Sequence, residues 1–343
     1  MRWLILFFSL AAFATPQRTI DILKELYPEQ TPLFLQERIN AAENPFELWR
    51  AFPAYYYYLA SRTSLDQKEI GFCLGDGHFE NFGVLGFDNP IFTLNDLDDA
   101  SFCPLNLDLM RLYLSHQFIG SITDEDFFHA YSQGLQRDFK NVPALILSEK
   151  EKSKEKGRVL PKKMKALWES QVCQGEYENI SPADSKWIAS VRIDFSFACK
   201  RLKIKGGSGG NERFVVFYQD EKNLQAFELK KLSIPAPLRE KKLSIADRKK
   251  IIEEALPFFF GADSRIYYSV IQKEDQLFLK RPLWASHRDL NLNDLKMSDK
   301  KEISLFEVRL MGYFHSFYRK TFSMPLNWSD SAKEISSNWR QSF

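Results

Sequence analysis

Short apolar runs separated by turn-forming residues predict a group of strands early in the chain. Residues 70–74 have the composition of a buried strand, and Gly75 and Gly77 after them favour a tight loop. Residues 83–87 and 91–94 lie on either side of an Asp-Asn-Pro sequence, which predicts a hairpin. Such a hairpin would bring the polar residues after its second strand back beside the loop.

A second group of strands is predicted later in the chain, followed by a helix. Residues 214–218 and 224–229 alternate or run apolar as strands do, and residues 245–256 are expected to form a helix. The four consecutive tyrosines at 55–58 fit a helix that packs into the core on more than one side. These elements together indicate an α+β protein. A glycine-rich turn precedes the later strands and consists of Gly206, Gly207, Ser208, Gly209 and Gly210.

The composition is that of a globular protein, and it narrows the classes of function. Of the 343 residues, 44% are hydrophobic and 15% aromatic, which is enough apolar material for a sizeable core. The formal net charge of +2 is far below the basic excess of a general nucleic-acid binder. We therefore expect no nucleic-acid partner.

The N-terminus has the three parts of a short secretory signal peptide. A basic start is followed by an apolar stretch at residues 4–13, and Ala12-Phe13-Ala14 is a small-x-small cleavage pattern. We therefore predict that residues 1–14 are a signal peptide and that the protein is exported, to the periplasm or outside the cell. A buried N-terminal helix is the alternative. No later segment is long and apolar enough to span a membrane, so no transmembrane segment is expected in the mature chain.

The four cysteines have no metal-binding Cys-x-x-Cys spacing. In an oxidising compartment they could form disulfides, and as free thiols they would be ordinary core residues. Cys73 and Cys103 flank the predicted loop and hairpin, which makes them the first pair to test. Spacing alone leaves the connectivity of Cys73, Cys103, Cys173 and Cys199 open.

The candidate chemistry lies in the loop and in the acidic cluster after the hairpin. Asp76 is followed five residues later by Asn81, a spacing that kinase-type enzymes use for a catalytic Asp and a metal-binding Asn. Asp96 would supply a second oxygen ligand, with Asp98 in reserve, and such ligands suit Mg²⁺. His78 is expected to orient the loop or to contact phosphate. Turn formation alone is the simpler explanation of these polar residues.

Several motifs resemble those of a bacterial family, number 2252 among the domains of unknown function. Its Gly-Asp-x-His-x-x-Asn-Phe-Gly loop is similar to residues 75–83, and its Asn-Asp-Phe-Asp turn to residues 95–98. Its Asp-Leu-x-Arg-Leu helix resembles residues 108–112, and an upstream Pro-Phe-x-Phe-x-Arg segment resembles residues 45–50. That family in turn looks like the aminoglycoside-phosphotransferase branch of the protein-kinase-like fold.

The resemblance covers about residues 44–320 and implies a two-lobed, protein-kinase-like α+β fold across residues 15–343. In a kinase the nucleotide-binding strands come first, whereas here the catalytic loop precedes them. We therefore predict a circularly permuted arrangement. A mainly helical catalytic lobe would comprise residues 15–190 and 285–343, and a smaller sheet lobe with the glycine-rich turn would comprise residues 191–284.

The resemblance also implies roles for residues outside the loop. The glycine-rich turn of residues 206–210 and Lys230 would bind the phosphates of the nucleotide. Lys230 ends a strand where a kinase has the lysine that contacts nucleotide phosphates, with Lys231 as the alternative. Glu253, or Glu254, would pair with that lysine from the following helix. Asp108 is expected to cap the helix after it or to brace the catalytic loop. The implied cofactors are Mg²⁺ and ATP, or another nucleotide, as donor to an unknown hydroxyl-bearing acceptor.

Two other functions fit parts of the pattern. A metal-dependent phosphoesterase would suit the Gly-Asp-x-His sequence and export, because it needs no ATP, but it requires more His ligands and an Asn-His pair that the sequence lacks. A catalytically inactive, kinase-like binding protein would also suit export. The complete set of Asp76, Asn81 and Asp96 favours the phosphotransferase over both.

Overall fold

The protein is a mixed α+β protein, as predicted, in a computed structural model of the chain. The predicted signal peptide and most of the glycine-rich turn lie outside the part of the chain that the structure describes. The structure describes residues 16–86, 88–192, 194–201, 210–220, 223–262, 264, 268–290 and 295–343.

Helices are the most abundant element in the described part of the chain. Several begin with proline at the first position, which has the φ that a helix needs and no N–H to leave unpaired. Thr31, Asn44 and Ser181 cap three of these helices by accepting a backbone N–H. The helices are α1 (Pro16–Leu26), α2 (Pro32–Asn40), α3 (Pro45–Ala51), α4 (Pro53–Ala60), α5 (Leu105–Gln117), α6 (Asp124–Leu135), α7 (Ala144–Lys156), α8 (Lys162–Ser170), α9 (Pro182–Val191), α10 (Ile245–Phe260), α11 (Met297–His315) and α12 (Trp328–Ser342).

The strands form three antiparallel groups among the described residues. A two-stranded ribbon joins β1 and β4, a small sheet has the order β11-β2-β3, and a larger sheet has the order β5-β6-β7-β8-β10-β9. The predicted hairpin of residues 83–94 is confirmed as β2 and β3. The strands are β1 (Ile70–Cys73), β2 (Phe82–Leu85), β3 (Ile91–Leu94), β4 (Ser101–Pro104), β5 (Tyr177–Asn179), β6 (Phe195–Arg201), β7 (Arg213–Asp220), β8 (Asn223–Leu232), β9 (Ser269–Lys273), β10 (Gln276–Pro282) and β11 (Arg288–Asp289).

The main core is built around α5, α6 and α11. Tyr55, Tyr56 and Tyr57 of α4 are buried in it, which confirms the prediction for the tyrosine run. The helices α6 and α11 pack so closely that a Cβ at Gly134 would lie 1.9 Å from a backbone oxygen of α11. A Cβ at Gly312 would lie 2.3 Å from a backbone oxygen of α6. This contact therefore requires glycine on both helices.

The larger sheet has an apolar layer on each face. Along β7, Phe214 and Val216 belong to the layer that includes Ile188 of α9, while Val215 and Phe217 belong to the layer that includes α8. Alternation of this kind is what a strand buried on both faces requires. The sheet and its covering helices begin before the predicted boundary at 190, and α10, inside the predicted sheet segment, packs into the main core.

Two disulfides fasten the strands. Cys73 of β1 is bonded to Cys103 of β4, the pair selected from the sequence. Cys173 is bonded to Cys199 of β6, and the Cα atoms of each pair lie 5.8 Å apart. None of the helices in the described part of the chain combines the length and apolarity that a membrane span requires.

Candidate functional site

The loop between β1 and β2 carries Asp76 and His78. It begins with Gly75, whose φ is +75°, and a Cβ at this position would lie 1.8 Å from the backbone oxygen of Asp99. Only glycine fits a positive φ and so close a contact. Because Asp99 follows β3, the hairpin brings the acidic cluster back beside the loop.

Asp108 of α5 holds the loop in place. Its carboxylate accepts hydrogen bonds from the backbone N–H groups of Leu74 and Gly75, at 2.7 and 3.1 Å. Tyr57 donates a hydrogen bond to the same carboxylate, and Nε2 of His315 lies 3.2 Å from it. Since Asp108 lies inside α5, the expectation that it caps this helix is wrong, and the expectation that it braces the loop is confirmed.

Asp76 is held by a buried arginine. Arg111 of α5 forms an ion pair with Oδ1 of Asp76, and Nε2 of His78 lies 3.6 Å from Oδ2. Burial alone would raise the pKa of Asp76, but Arg111 and His78 hold it well below its usual range. Burial lowers the pKa of His78, which Asp76 partly opposes. The Asp76 side chain remains 15% exposed, so an ionised carboxylate faces the space beyond the loop.

Asn81 joins the loop to the acidic cluster. Its Nδ2 donates hydrogen bonds to the backbone oxygens of Asp76 and Asp96, at 3.0 and 3.4 Å. The amide nitrogen is used in these contacts, so Oδ1 is the atom that Asn81 offers to a ligand.

Asp96, Asp98 and Lys230 form a compact charged group. Nζ of Lys230, on β8, forms ion pairs with both carboxylates. Burial and the neighbouring Asp96 raise the pKa of Asp98 to about 8, against the effect of Lys230. Burial also acts to raise the pKa of Asp96, but Lys230 and Arg281 hold it below its usual range. Asp96 thus carries the negative charge more readily than Asp98.

Lys230, rather than Lys231, is the lysine at the acidic cluster. The side chain of Lys230 is fully buried, whereas that of Lys231 is partly exposed. Consecutive residues of a strand point to opposite faces of the sheet, so only one of the two can reach these carboxylates.

A cavity of about 350 Å³ brings the predicted polar residues together. Basic residues line the same cavity: Arg50, Arg213, Arg239 and Arg281. The cavity therefore has carboxylates that suit a bound cation beside guanidinium groups that suit a bound anion. The predicted residues that line it are Asp76, His78, Asn81, Asp96 and Asp98.

The comparison with protein families bears on the acidic part of this site. Residues 34–126 match the model of a family described as an uncharacterised protein conserved in bacteria, DUF2252. This match supports the bacterial family that the motifs resemble. The matched segment includes Asp76, Asn81 and Asp96, whereas Lys230 lies beyond it. No curated protein and no solved structure gives a significant match to the chain.

In the described part of the chain, two of the residues predicted for the site, Gly210 and Glu253, do not line the cavity. Glu253 is half-exposed on α10 and lies 3.8 Å from Lys249, whereas Lys230 pairs with Asp96 and Asp98. The reason is that α10 turns its apolar face to the core and leaves Glu253 facing outward. Gly210 does not line the cavity, and a Cβ at this position would lie 2.5 Å from the ring of Phe34. The residues Gly206, Gly207, Ser208 and Gly209 lie outside the described part of the chain.

A group of charged residues in the larger sheet was not predicted from the sequence. Glu228 is buried on β8, and Arg213 and Arg281 from the neighbouring strands both contact it. Glu228 and Lys230 are two residues apart on one strand and so share a face, which is a signal that the sequence does contain. Arg281 was not predictable from local sequence, because it reaches Glu228 through the pairing of β10 with β8, and the two residues are 53 positions apart in the chain.

Aromatic residues near the end of β10 also line the cavity. The ring of His287 contacts those of Tyr268 and Trp284, with ring centroids 6.3 and 5.4 Å apart. Nε1 of Trp284 donates a hydrogen bond to Gln225, which fixes the indole. Burial, together with Arg281, lowers the pKa of His287 to about 4, so the imidazole is neutral near pH 7. The aromatic group adds an uncharged surface to a site that is otherwise strongly polar.

Proposed function

We propose that the protein is a Mg²⁺-dependent phosphotransferase of the kinase-like type, which transfers a phosphate from ATP or another nucleotide to a hydroxyl group of an acceptor. The observation that carries this proposal is that Asp76, Asn81 and Asp96 line one cavity, with Lys230 ion-paired to Asp96. This combination supplies an acceptor-orienting carboxylate, oxygen ligands for a metal and a cation for phosphate.

The fold that we propose is a circularly permuted, two-lobed kinase-like fold. The order of elements supports it, because the loop with Asp76 precedes the antiparallel sheet that carries Lys230. The segment after β10 leads directly into β11, which pairs with β2 beside the loop. The two parts of the site are therefore joined by a short connection as well as by the cavity.

The residues of the acidic cluster fit a magnesium ion. Oδ1 of Asn81 and the carboxylates of Asp96 and Asp98 would hold it, since Mg²⁺ prefers oxygen ligands and takes one or two carboxylates together with phosphate oxygens. Both Asp98 side-chain oxygens are buried without a hydrogen-bond partner among the described residues, and Oδ2 forms the ion pair with Lys230. When bound, the ion supplies neutralisation of the charge on the transferring phosphate.

Asp76 would position the acceptor. Arg111 occupies Oδ1 and keeps the carboxylate ionised, so Oδ2 is the oxygen that accepts the hydrogen bond of an incoming hydroxyl. Because its pKa is low, Asp76 is a weak base, and its main contribution is to orient the hydroxyl and to receive its proton late in the transfer.

The aromatic group is the surface that we assign to the base of the nucleotide. Tyr268, Trp284 and His287 provide ring surface, and Leu85 and Leu283 are aliphatic residues of the same cavity. Nucleotide sites combine such apolar surface with a few polar groups that fix orientation.

A metal-dependent phosphoesterase remains the second candidate from the sequence. It needs several His and carboxylate ligands around its ions, whereas the acidic cluster combines two carboxylates with an amide and a lysine. This composition favours the phosphotransferase. The two disulfides support the proposal that the protein is exported to an oxidising compartment, the periplasm or the outside of the cell.

Calorimetric titration tests the proposal directly. ATP and GTP are titrated into the wild type and the Asp96→Asn variant, with and without Mg²⁺. We expect nucleotide binding that requires Mg²⁺ and is weakened in Asp96→Asn. Lys230→Ala should weaken binding as well, with Lys231→Ala as the matched control that leaves it unchanged.

The absence of nucleotide binding under every condition would overturn the proposal and direct the next assay to phosphoester hydrolysis with Mn²⁺ or Zn²⁺. Mg²⁺-dependent binding without phosphate transfer to any hydroxyl compound, including water, would identify a kinase-like binding protein instead.

A further inference from the structure

Glu228 lies among three arginines from the larger sheet. Arg281 contacts it most closely, with Nε and Nη2 at 2.8 and 2.7 Å from Oε2. Nη1 of Arg213 lies 3.1 Å from the same oxygen, and Nη1 of Arg201 lies 3.6 Å from Oε1. The Glu228 side chain is 1% exposed, so this carboxylate is available to these neighbours and not to solvent.

The three arginines differ in what else they face. Arg213 and Arg281 line the cavity that holds the candidate site, whereas Arg201 lies outside its lining and pairs with Glu176 at 3.0 Å. Strand register explains the difference. Arg281 on β10 is directly opposite Glu228, and Arg213 on β7 is directly opposite Lys230.

The contact with Glu228 occupies only part of the Arg281 guanidinium. A guanidinium has five N–H donors, and the contact with Glu228 uses the Nε and Nη2 side of Arg281. Glu228 is the carboxylate that Arg213 and Arg281 share, whereas Arg201 also pairs with Glu176. Both Arg213 and Arg281 line the cavity, and a phosphate chain matches the fork geometry of guanidinium groups.

We infer that Glu228 is a positioning residue that holds Arg213 and Arg281 as a guanidinium clamp for the phosphate chain of the donor. Burial would raise the pKa of Glu228, but Arg281 and Arg213 lower it to about 2, which keeps the positioning carboxylate charged. Glu228 thus fixes the two arginines from within the sheet, as Asp96 and Asp98 hold Lys230. The inference deepens the proposed function and rests on it for the identity of the donor.

Calorimetry with inorganic tripolyphosphate and with ATP, each with Mg²⁺, tests the clamp. Tripolyphosphate has the phosphate chain without the base, so its binding reports on the clamp even if the donor is not ATP. The variants are Arg281→Met, Arg281→Lys and Glu228→Gln. Arg201→Met is the matched control, because Arg201 contacts the same carboxylate but does not line the cavity. Circular dichroism establishes that each variant is folded at the temperature of the titration.

We expect Arg281→Met to weaken the binding of both ligands by about 10- to 150-fold, the effect of a lost hydrogen bond between charged groups. Arg281→Lys should lose less, because it keeps the charge and loses only the fork. Glu228→Gln should weaken binding in the same direction. Arg201→Met should bind both ligands within about twofold of the wild type. If Glu228→Gln does not fold, the comparison of Arg281→Met with Arg201→Met decides the question.

Wild-type affinity in Arg281→Met, or an equal loss in Arg201→Met, would overturn the clamp and leave Glu228 with a purely structural role. Tripolyphosphate binding that depends on Arg281, without Mg²⁺-dependent binding of ATP or GTP, would support the clamp and overturn the proposed donor. Nucleotide binding that depends on Asp96 but not on Arg281 would support the proposed function and overturn the clamp. A wild type that binds neither ligand overturns both.

Discussion

At the scale of single residues, the chemistry of the site depends on which carboxylate each cation engages. Arg111 fixes one oxygen of Asp76 and leaves the other toward the cavity, while Lys230 joins Asp96 to Asp98. In the proposed function, the cations therefore divide the acidic residues into one that would orient an acceptor and two that would hold a metal.

Asp76→Asn should strongly reduce the rate of phosphate transfer. The variant keeps an oxygen that Arg111 can contact, so we expect it to fold, at a lower Tm, but it cannot receive the hydroxyl proton. Turnover should fall by about 10²–10⁴-fold. The measurement is the release of phosphate from MgATP with water or added hydroxyl compounds as acceptors, and Asp330→Asn, an exposed carboxylate of α12, is the control. Unchanged turnover in Asp76→Asn would remove Asp76 from the catalytic role.

Glu228 should make stability depend on pH in the acid range. Arginine contacts outweigh burial and lower its pKa in the folded protein to about 2, from an ordinary value of 4.5. The unfolded chain therefore binds the proton first as the pH falls. The ionised Glu228 carboxylate therefore contributes about 3 kcal/mol to the free energy of unfolding. This contribution is complete above pH 4.5 and is lost as the pH falls from 4.5 to about 2.

The free energy of unfolding, measured with urea at a series of pH values, tests this expectation. The difference between the wild type and Glu228→Gln should be largest above pH 4.5 and shrink as the pH falls toward 2. Glu253→Gln, which removes an exposed carboxylate, should differ little from the wild type throughout. A wild-type to Glu228→Gln difference that stays constant with pH would contradict the assignment.

At the scale of elements, the contact between α6 and α11 is the most sensitive to substitution. Gly312→Ala would place a Cβ 2.3 Å from the backbone oxygen of Tyr131, and a backbone atom cannot move aside as a side-chain end can. We expect a net loss of about 1–3 kcal/mol in the free energy of unfolding. The higher helix propensity of Ala, worth roughly 1 kcal/mol, offsets only part of the steric cost.

Thermal or urea unfolding followed by circular dichroism measures this loss. Ser298→Ala, in the exposed first turn of α11, is the control for a substitution on the same helix without a close neighbour. Stability equal to that of the wild type in Gly312→Ala would mean that the two helices can separate at little cost.

Elements were predictable where local sequence decides them. The hairpin β2–β3, the strands β7 and β8 and the start of α10 follow from apolar runs and turn residues that the sequence displays directly. The outward direction of Glu253 was not predictable in the same way. It depends on which face of α10 the core covers, and tertiary packing decides that.

The acidic part of the site was likewise predictable, because one hairpin brings Asp76, Asn81 and Asp96 together. The basic part was not, because Arg281 meets Glu228 across strands that are 53 residues apart in the chain. Local periodicity indicates that a residue lies on a strand, but it does not give the register between distant strands.

At the scale of the whole molecule, the two disulfides should have different consequences for the site. The bond between Cys73 and Cys103 joins β1 to β4 directly before the loop with Asp76, whereas the bond between Cys173 and Cys199 lies in the larger sheet. Replacing either pair by alanine should cost about 2–4 kcal/mol of stability. Only the replacement of Cys73 and Cys103 should also weaken Mg²⁺-dependent ATP binding at temperatures where the protein is folded.

Calorimetry and thermal unfolding of the two double variants make this comparison, and each variant serves as the control for the other. Equal losses of ATP affinity would show that the disulfides act only through global stability. A loss confined to the variant without Cys173 and Cys199 would contradict the expectation.

The cavity also has a consequence for how the chain is made. Asp96 and its partner Lys230 are separated by 134 positions, so a ribosome that adds about 5–20 residues per second completes the second roughly 7 to 27 s after the first. During that interval Asp96 and Asp98 have no ammonium group to meet, and their burial would be costly. The nascent hairpin should therefore stay hydrated and accessible to chaperones until the sheet has been synthesised.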